Sequence, residues 1–139
     1  MGHVYAHITL SNSFEVIAAK KGLIAECDVK KVTVNALIDS GAMTLTINEE
    51  IAEQLGLEVL EQTMVTLANG SRCKCDYAGP VHIYFENRTA CCRAFVLPDA
   101  DEVLLGVIPL EEMDVIIDPT IQQLVVHPDR PHGALWKLK

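Results

Sequence analysis

Between Lys31 and Ile38 the chain alternates Val32, Val34, Ala36 and Ile38 with Thr33, Asn35 and Leu37, the period-two pattern of a β-strand with one well-buried face. The run ends on a lone carboxylate, Asp39, followed by three small residues, Ser40, Gly41 and Ala42. A strand of this kind delivers its terminal acid to a partly buried place, because its apolar face has to pack on a core. Gly41 lets the backbone turn sharply or approach another backbone closely. Ser40 offers a hydroxyl that both donates and accepts beside the carboxylate. A strand ending in an Asp-Ser-Gly turn is common in many folds, so the rest of the chain has to decide between a plain turn and a site.

The chain has 139 residues, half of them apolar and 22% charged. That is the length of one domain, 1–139, able to bury a core without disulfides. No apolar run approaches a membrane span, and the first residues lack the basic segment and long apolar stretch of a secretory signal. Ala6 stands where a myristoylation signal wants Ser or Thr. The expectation is a cytoplasmic protein with no membrane partner. Net charge is −8, and Lys and Arg are scattered apart from the pairs Lys20-Lys21 and Lys30-Lys31. Nucleic acid is therefore not an expected partner, since phosphate binding needs a clustered positive face.

The five cysteines, Cys27, Cys73, Cys75, Cys91 and Cys92, are odd in number and read as reduced thiols. In strands, Cys73 and Cys75 share a face, and Cys91 and Cys92 take opposite faces. Neither the paired spacing of a zinc site nor a His-x-x-x-His companion is present, so buried apolar thiols are expected rather than metal ligands.

Taken in order, His3 to Leu10 alternates as a strand with His3 and His7 on its polar, solvated face. Ser11-Asn12-Ser13 offers helix caps before Phe14 to Lys21, an insertion closed by Gly22. Leu23 to Asp28 is too mixed to assign. After the Asp-Ser-Gly-Ala turn, Met43 to Ile47 is extended. A helix follows, capped either by Thr46 with Glu49 or by Asn48, and stopped by Gly56. Thr63 to Tyr77 reads as a hairpin about Ala68-Asn69-Gly70-Ser71, because Asn-Gly tolerates the positive φ of tight turns. Val81 to Glu86 and Thr89 to Leu97 read as a second hairpin across Asn87-Arg88, with His82 on the surface. Asp99-Ala100-Asp101-Glu102 is a solvated acidic turn. It leads into Val103 to Ile108, where Gly106 within an apolar run marks close backbone approach. Pro109 suits the first turn of a short helix to Met113. Val115 to Ile117 and Gln123 to His127 are strands, and Pro128 to Lys139 is a tail that dangles or packs against a partner. Asp28, Asp114 and Asp118 lack a following Ser/Thr-Gly and read as turn or surface residues.

Leu37-Ile38-Asp39-Ser40-Gly41-Ala42, the helix ending at Leu55-Gly56-Leu57, the Ala68-Asn69-Gly70 hairpin and Leu104-Leu105-Gly106 together resemble the retropepsin-like aspartic proteases, most closely their small single-domain bacterial members. The resemblance implies a mainly β, closed β-barrel with one or two short helices. It places Asp39 on the active-site loop with Ser40, Gly41 and Ala42 in support. It makes Ala68, Asn69, Gly70 and Ser71 a substrate-binding flap within residues 63–77, and Leu104, Leu105 and Gly106 a second crossing element. In that family a chain with one Asp-Ser/Thr-Gly is half an enzyme, so the resemblance implies a homodimer that hydrolyses extended peptides or unfolded protein segments with two copies of Asp39. No metal or cofactor is implied. Val107 departs from the Asp that many relatives carry after this glycine. The competing reading is a non-proteolytic peptide-binding or dimerisation module on the same fold, since fold does not fix activity.

Overall fold

The strand β1 (Tyr5–Asn12) buries Ala6, Ile8 and Leu10 and leaves Tyr5 and His7 outside. It runs antiparallel to β2 (Lys31–Ile38), from Tyr5 opposite Leu37 to Ser11 opposite Lys31. The computed structural model describes residues 2–138. Between these strands lie α1 (Ser13–Lys20) and a 3-10 turn at Glu26–Asp28. Asn12 caps α1 by accepting from the Glu15 N–H at 3.3 Å. Its amide also donates to the carbonyls of Leu55 and Gly56 at 2.9 and 3.1 Å, tying the start of α1 to that later segment of the chain.

After Asp39 come β3 (Leu45–Ile47) and α2 (Glu49–Leu55). Thr46 is buried in β3, so the cap of α2 is Asn48, whose Oδ1 accepts from the Ile51 N–H at 2.9 Å. Gly56 ends the helix at φ 63°, a conformation glycine adopts without steric cost. The strands β4 (Glu58–Thr66) and β5 (Arg72–Phe85) follow, then β6 (Arg88–Val96), β7 (Val103–Leu105) and α3 (Val107–Met113). The chain continues as β8 (Val115–Asp118) and β9 (Gln123–Val126), a separate two-stranded sheet.

The larger sheet runs β1-β2-β7-β3-β6-β5-β4, and β5 pairs back with β1. Six strands thereby close a barrel, with β4 added outside the ring. The pairings β2 with β7 and β3 with β6 are parallel. Inside lie Ile8, Leu10, Leu45, Ile47, Val81, Ile83 and Leu105, essentially without solvent contact. Each such side chain stabilises the fold by roughly 1.5–3 kcal/mol relative to exposure. The fold is the expected closed β-barrel, carrying three short α-helices among the described residues rather than one or two.

The second hairpin turns at Glu86-Asn87, with Phe85 opposite Arg88, one residue earlier than the sequence suggests. Glu86 takes the left-handed conformation at φ 51°, and Arg88 becomes a buried strand residue whose Nη2 donates to the Arg130 carbonyl. The tail does not dangle. Asn87 donates to the Pro131 carbonyl at 2.9 Å, Arg130 forms a bidentate ion pair with Asp114, and the Trp136 indole donates to the Glu112 carbonyl at 2.8 Å. The cysteines are free, but only Cys75 is buried; Cys27 and Cys91 are exposed, and Cys73 and Cys92 lie between. Among the described residues no helix is long and apolar enough to cross a membrane.

Candidate active site

Asp39 follows β2 directly and stays in register with the parallel β7, its N–H donating to the Leu105 carbonyl at 3.0 Å. The carboxylate Oδ1 then accepts the Gly41 N–H at 2.9 Å, and the Ala42 N–H donates to the Asp39 carbonyl at 3.1 Å. The turn is thus wound about its own acid, with one carboxylate oxygen held by the backbone.

A second clamp comes from α3. The first N–H groups of a helix have no partner within the helix. Here Val107 N–H donates to the Ala42 carbonyl at 2.9 Å and Ile108 N–H to the Met43 carbonyl at 3.0 Å. Such an approach needs a glycine before the helix. A Cβ on Gly106 would stand 2.5 Å from the carbonyl oxygens of both Ala42 and Thr44. The close approach expected from a glycine in an apolar run is therefore contact with the Asp39 loop itself.

The acid opens on a cleft of about 620 Å³ lined by Asp39, Gly41, Ala42, Met43, Thr46, Met64, Val65, Thr66, Leu67, Ala68, Phe95, Leu97 and Leu104. Among the described residues lining it, Asp39 carries the only ionisable side chain. The β4–β5 ribbon stands over this cleft. β6 accompanies β5 no further than Asp76 opposite Val96, so Thr63–Thr66 and Arg72–Cys75 pair only with each other. At the tip Leu67 N–H donates to the Ser71 carbonyl at 2.8 Å, and Gly70, at φ 86°, donates to the Leu67 carbonyl at 2.9 Å. Only Gly70 uses positive φ; Asn69 instead accepts from the N–H and hydroxyl of Ser71 at 2.9 and 2.6 Å.

The sequence candidates divide accordingly. Asp39, Gly41, Ala42, Ala68 and Leu104 line the cleft, whereas Asn69, Gly70 and Ser71 form the ribbon tip beyond it. Leu105 belongs to the barrel core, and Gly106 is the contact point of the loop clamp. Ser40 is exposed and makes no side-chain hydrogen bond among the described residues. The wall residues Met43, Thr46, Met64 to Leu67, Phe95 and Leu97 were not among those candidates. Alternation within β6 carried a signal for Phe95, since Ala94 and Val96 point into the barrel and leave it on the other face.

Outside the cleft, His82 is not the surface residue expected, whereas Asp114 is a turn residue as expected, at φ 55°. His82 is half-buried with Nδ1 2.5 Å from the Ser13 hydroxyl, and burial pushes its pKa down. Asp114 is a structural ion-pair residue, held well below the usual carboxylate range chiefly by its hydrogen bonds from Arg130.

A closed barrel that presents one Asp-Ser-Gly-Ala loop beneath a β-ribbon defines a retropepsin-like fold. The family described as gag-polyprotein putative aspartyl protease matches residues 25–112, well over half of the chain, and the chain belongs to that family. The match leaves out β1, α1, the β8–β9 sheet and the tail. Among solved structures, the retroviral protease-like domain of Ddi1 from Leishmania major is similar, with 21% identity over 70% of this chain and 81% of that chain and a TM-score of 0.51. At that identity the likeness is one of fold. No curated protein matches the chain in sequence.

Proposed function

We propose that the chain is one half of a homodimeric aspartic endopeptidase acting on extended peptides or unfolded protein segments. The observation that carries the reading is Asp39, the one acid among the described residues that line an apolar cleft, on a loop clamped from both sides and covered by a free-standing ribbon. One carboxylate cannot serve as base and acid at once, so the chemistry requires a second copy of Asp39 from a twofold-related chain. The β8–β9 sheet supports such pairing. It has two strands only, and Ile116, Ile117 and Ile121 are 39%, 42% and 52% exposed. A hairpin with open edges and exposed isoleucines is marginal alone and gains by adding strands from a partner.

In the dimer two carboxylates a few ångströms apart share a proton, because ionising both is opposed by their repulsion. The ionised copy takes a proton from a bound water as the water oxygen attacks the peptide carbonyl carbon. The protonated copy gives its proton to the carbonyl oxygen. The tetrahedral diol then collapses: one of its hydroxyls returns a proton to the ionised copy as the C–N bond breaks, the nitrogen gains the proton held by the other copy, and an acid and an amine leave with the dyad again holding one proton. In this reading Ser40, exposed beside the acid, hydrogen-bonds across the dimer axis. The ribbon about Ala68 to Ser71 pairs with the bound chain as an added strand, while the apolar walls receive its side chains.

The reading is tested by mass-spectrometric mapping of cleavage in a diverse peptide library from acidic to neutral pH, with wild type and Asp39→Asn prepared identically. Cuts made by wild type and missing with the variant are expected. Folded dimers of both that bind peptides and cut none would favour the binding module. Equal cutting by both would remove Asp39 from the mechanism.

A further inference from the structure

We infer that Tyr77 is a positioning residue that fixes the tilt of the ribbon over the cleft, through a stacked column joining the ribbon root to the cleft wall. The inference rests on reading the 67–71 hairpin as a flap. Glu61, Tyr77 and Phe95 lie side by side across β4, β5 and β6, one step before β6 ends its pairing and the ribbon continues alone. The Tyr77 and Phe95 rings stack with centroids 4.6 Å apart and planes 18° from parallel. The Arg93 guanidinium carbon stands 4.2 Å from the centre of the Tyr77 ring, and Arg93 Nη1 reaches Glu61 Oε1 at 3.4 Å. Gly79 leaves room for this: a Cβ there would be 3.2 Å from the Arg93 Cα.

The column therefore touches both strands of the ribbon and ends on Phe95, which lines the cleft. Tilting the ribbon would slide Tyr77 off Phe95 or part Arg93 from Glu61. The exposed ion pair alone holds little, whereas offset stacking and a cation over an aromatic face add attraction that depends on geometry. β4 shifts register between Val59 and Glu61, so its ladder is interrupted just below the column, and the side chains supply the restraint there.

The test is hydrogen–deuterium exchange of the full chain, with peptide kinetics alongside, for Tyr77→Leu, Tyr77→Phe and Arg93→Gln. Tyr77→Leu is expected to speed exchange at residues 63–75 by about tenfold, with β1 and β2 unchanged, and to raise KM while kcat is largely retained. Tyr77→Phe keeps the ring and should match wild type. Arg93→Gln, which leaves the core intact, should show the same pattern at about threefold. Wild-type exchange in the ribbon of both Tyr77→Leu and Arg93→Gln would overturn the inference. Acceleration spread evenly over the barrel would also overturn it, marking Tyr77 as a general packing residue. If wild type cuts no peptide, the protease reading fails, and ribbon exchange still decides the inference.

Discussion

Substituting Gly106 by Ala puts a methyl group where the Asp39 loop is clamped, and two arguments about it predict opposite signs. The backbone there is extended, at φ −94°, which any residue adopts. By unfolded-state entropy alone, Ala would stabilise the protein by about 0.4–1 kcal/mol. The added carbon would, however, lie 2.5 Å from two carbonyl oxygens and 2.7 Å from the Thr44 nitrogen, all of them backbone atoms. Relief requires the loop and α3 to part by roughly 1 Å, an overpacking cost of about 1–3 kcal/mol. It also weakens the Val107 and Ile108 hydrogen bonds to the loop, each contributing about 0.5–1.5 kcal/mol. The net expectation is a loss of about 1–5 kcal/mol, up to a large fraction of a typical domain's stability of about 5–15 kcal/mol. With a urea slope of about 2 kcal/mol per molar, unfolding at fixed protein concentration should show a midpoint lower by about 0.5–2.5 M. Peptide cleavage should fall about a hundredfold, since a displaced acid is misaligned for attack. A midpoint equal to or above that of wild type would refute the packing argument.

Acid stability should depend on Asp114. Its folded-state pKa lies below the ordinary carboxylate value of 3.8 because Arg130 donates to it. Its contribution is complete above that value and is lost as pH falls through and below it. Unfolding midpoints of wild type and Asp114→Asn should therefore converge between neutral pH and strong acid, and a constant gap would count against the pair. Ile116→Lys puts a charge on an exposed isoleucine of the β8–β9 sheet. Analytical ultracentrifugation should find its dimer dissociation constant raised by tenfold or more, about 1.4 kcal/mol, with a folded monomer by circular dichroism. An unchanged constant would place the interface elsewhere.

Local chemistry made much of the fold legible. The Lys31 to Ile38 alternation is β2 to the residue, because a strand with one buried face carries its register in its composition. Gly106 announced a close approach, and the structure identifies its partner as the Asp39 loop. What was not legible depends on residues far apart in sequence. Arg88 reads as a turn residue until the tail, more than forty positions on, supplies the Arg130 carbonyl. Arg72 to Phe85 reads as parts of two hairpins, yet it is one strand with an irregularity between Ala78 and Val81, the first part carrying the ribbon and the second closing the barrel on β1. Phe95 escaped notice because β6 is used on both faces, one toward the core and one toward the cleft. That Asp39 stands at the end of β2 was legible, whereas the walls of the cleft it lines arise from four separate segments of the chain.

The most direct measurement mixes wild-type and Asp39→Asn chains in varied proportions, allows subunits to exchange, and records cleavage of one peptide per wild-type chain. If the catalytic water is held between two copies of Asp39, mixed dimers are inactive, and at equal proportions activity per wild-type chain falls to about half. Activity per wild-type chain that stays constant at every proportion would contradict the shared site and show that each chain works alone.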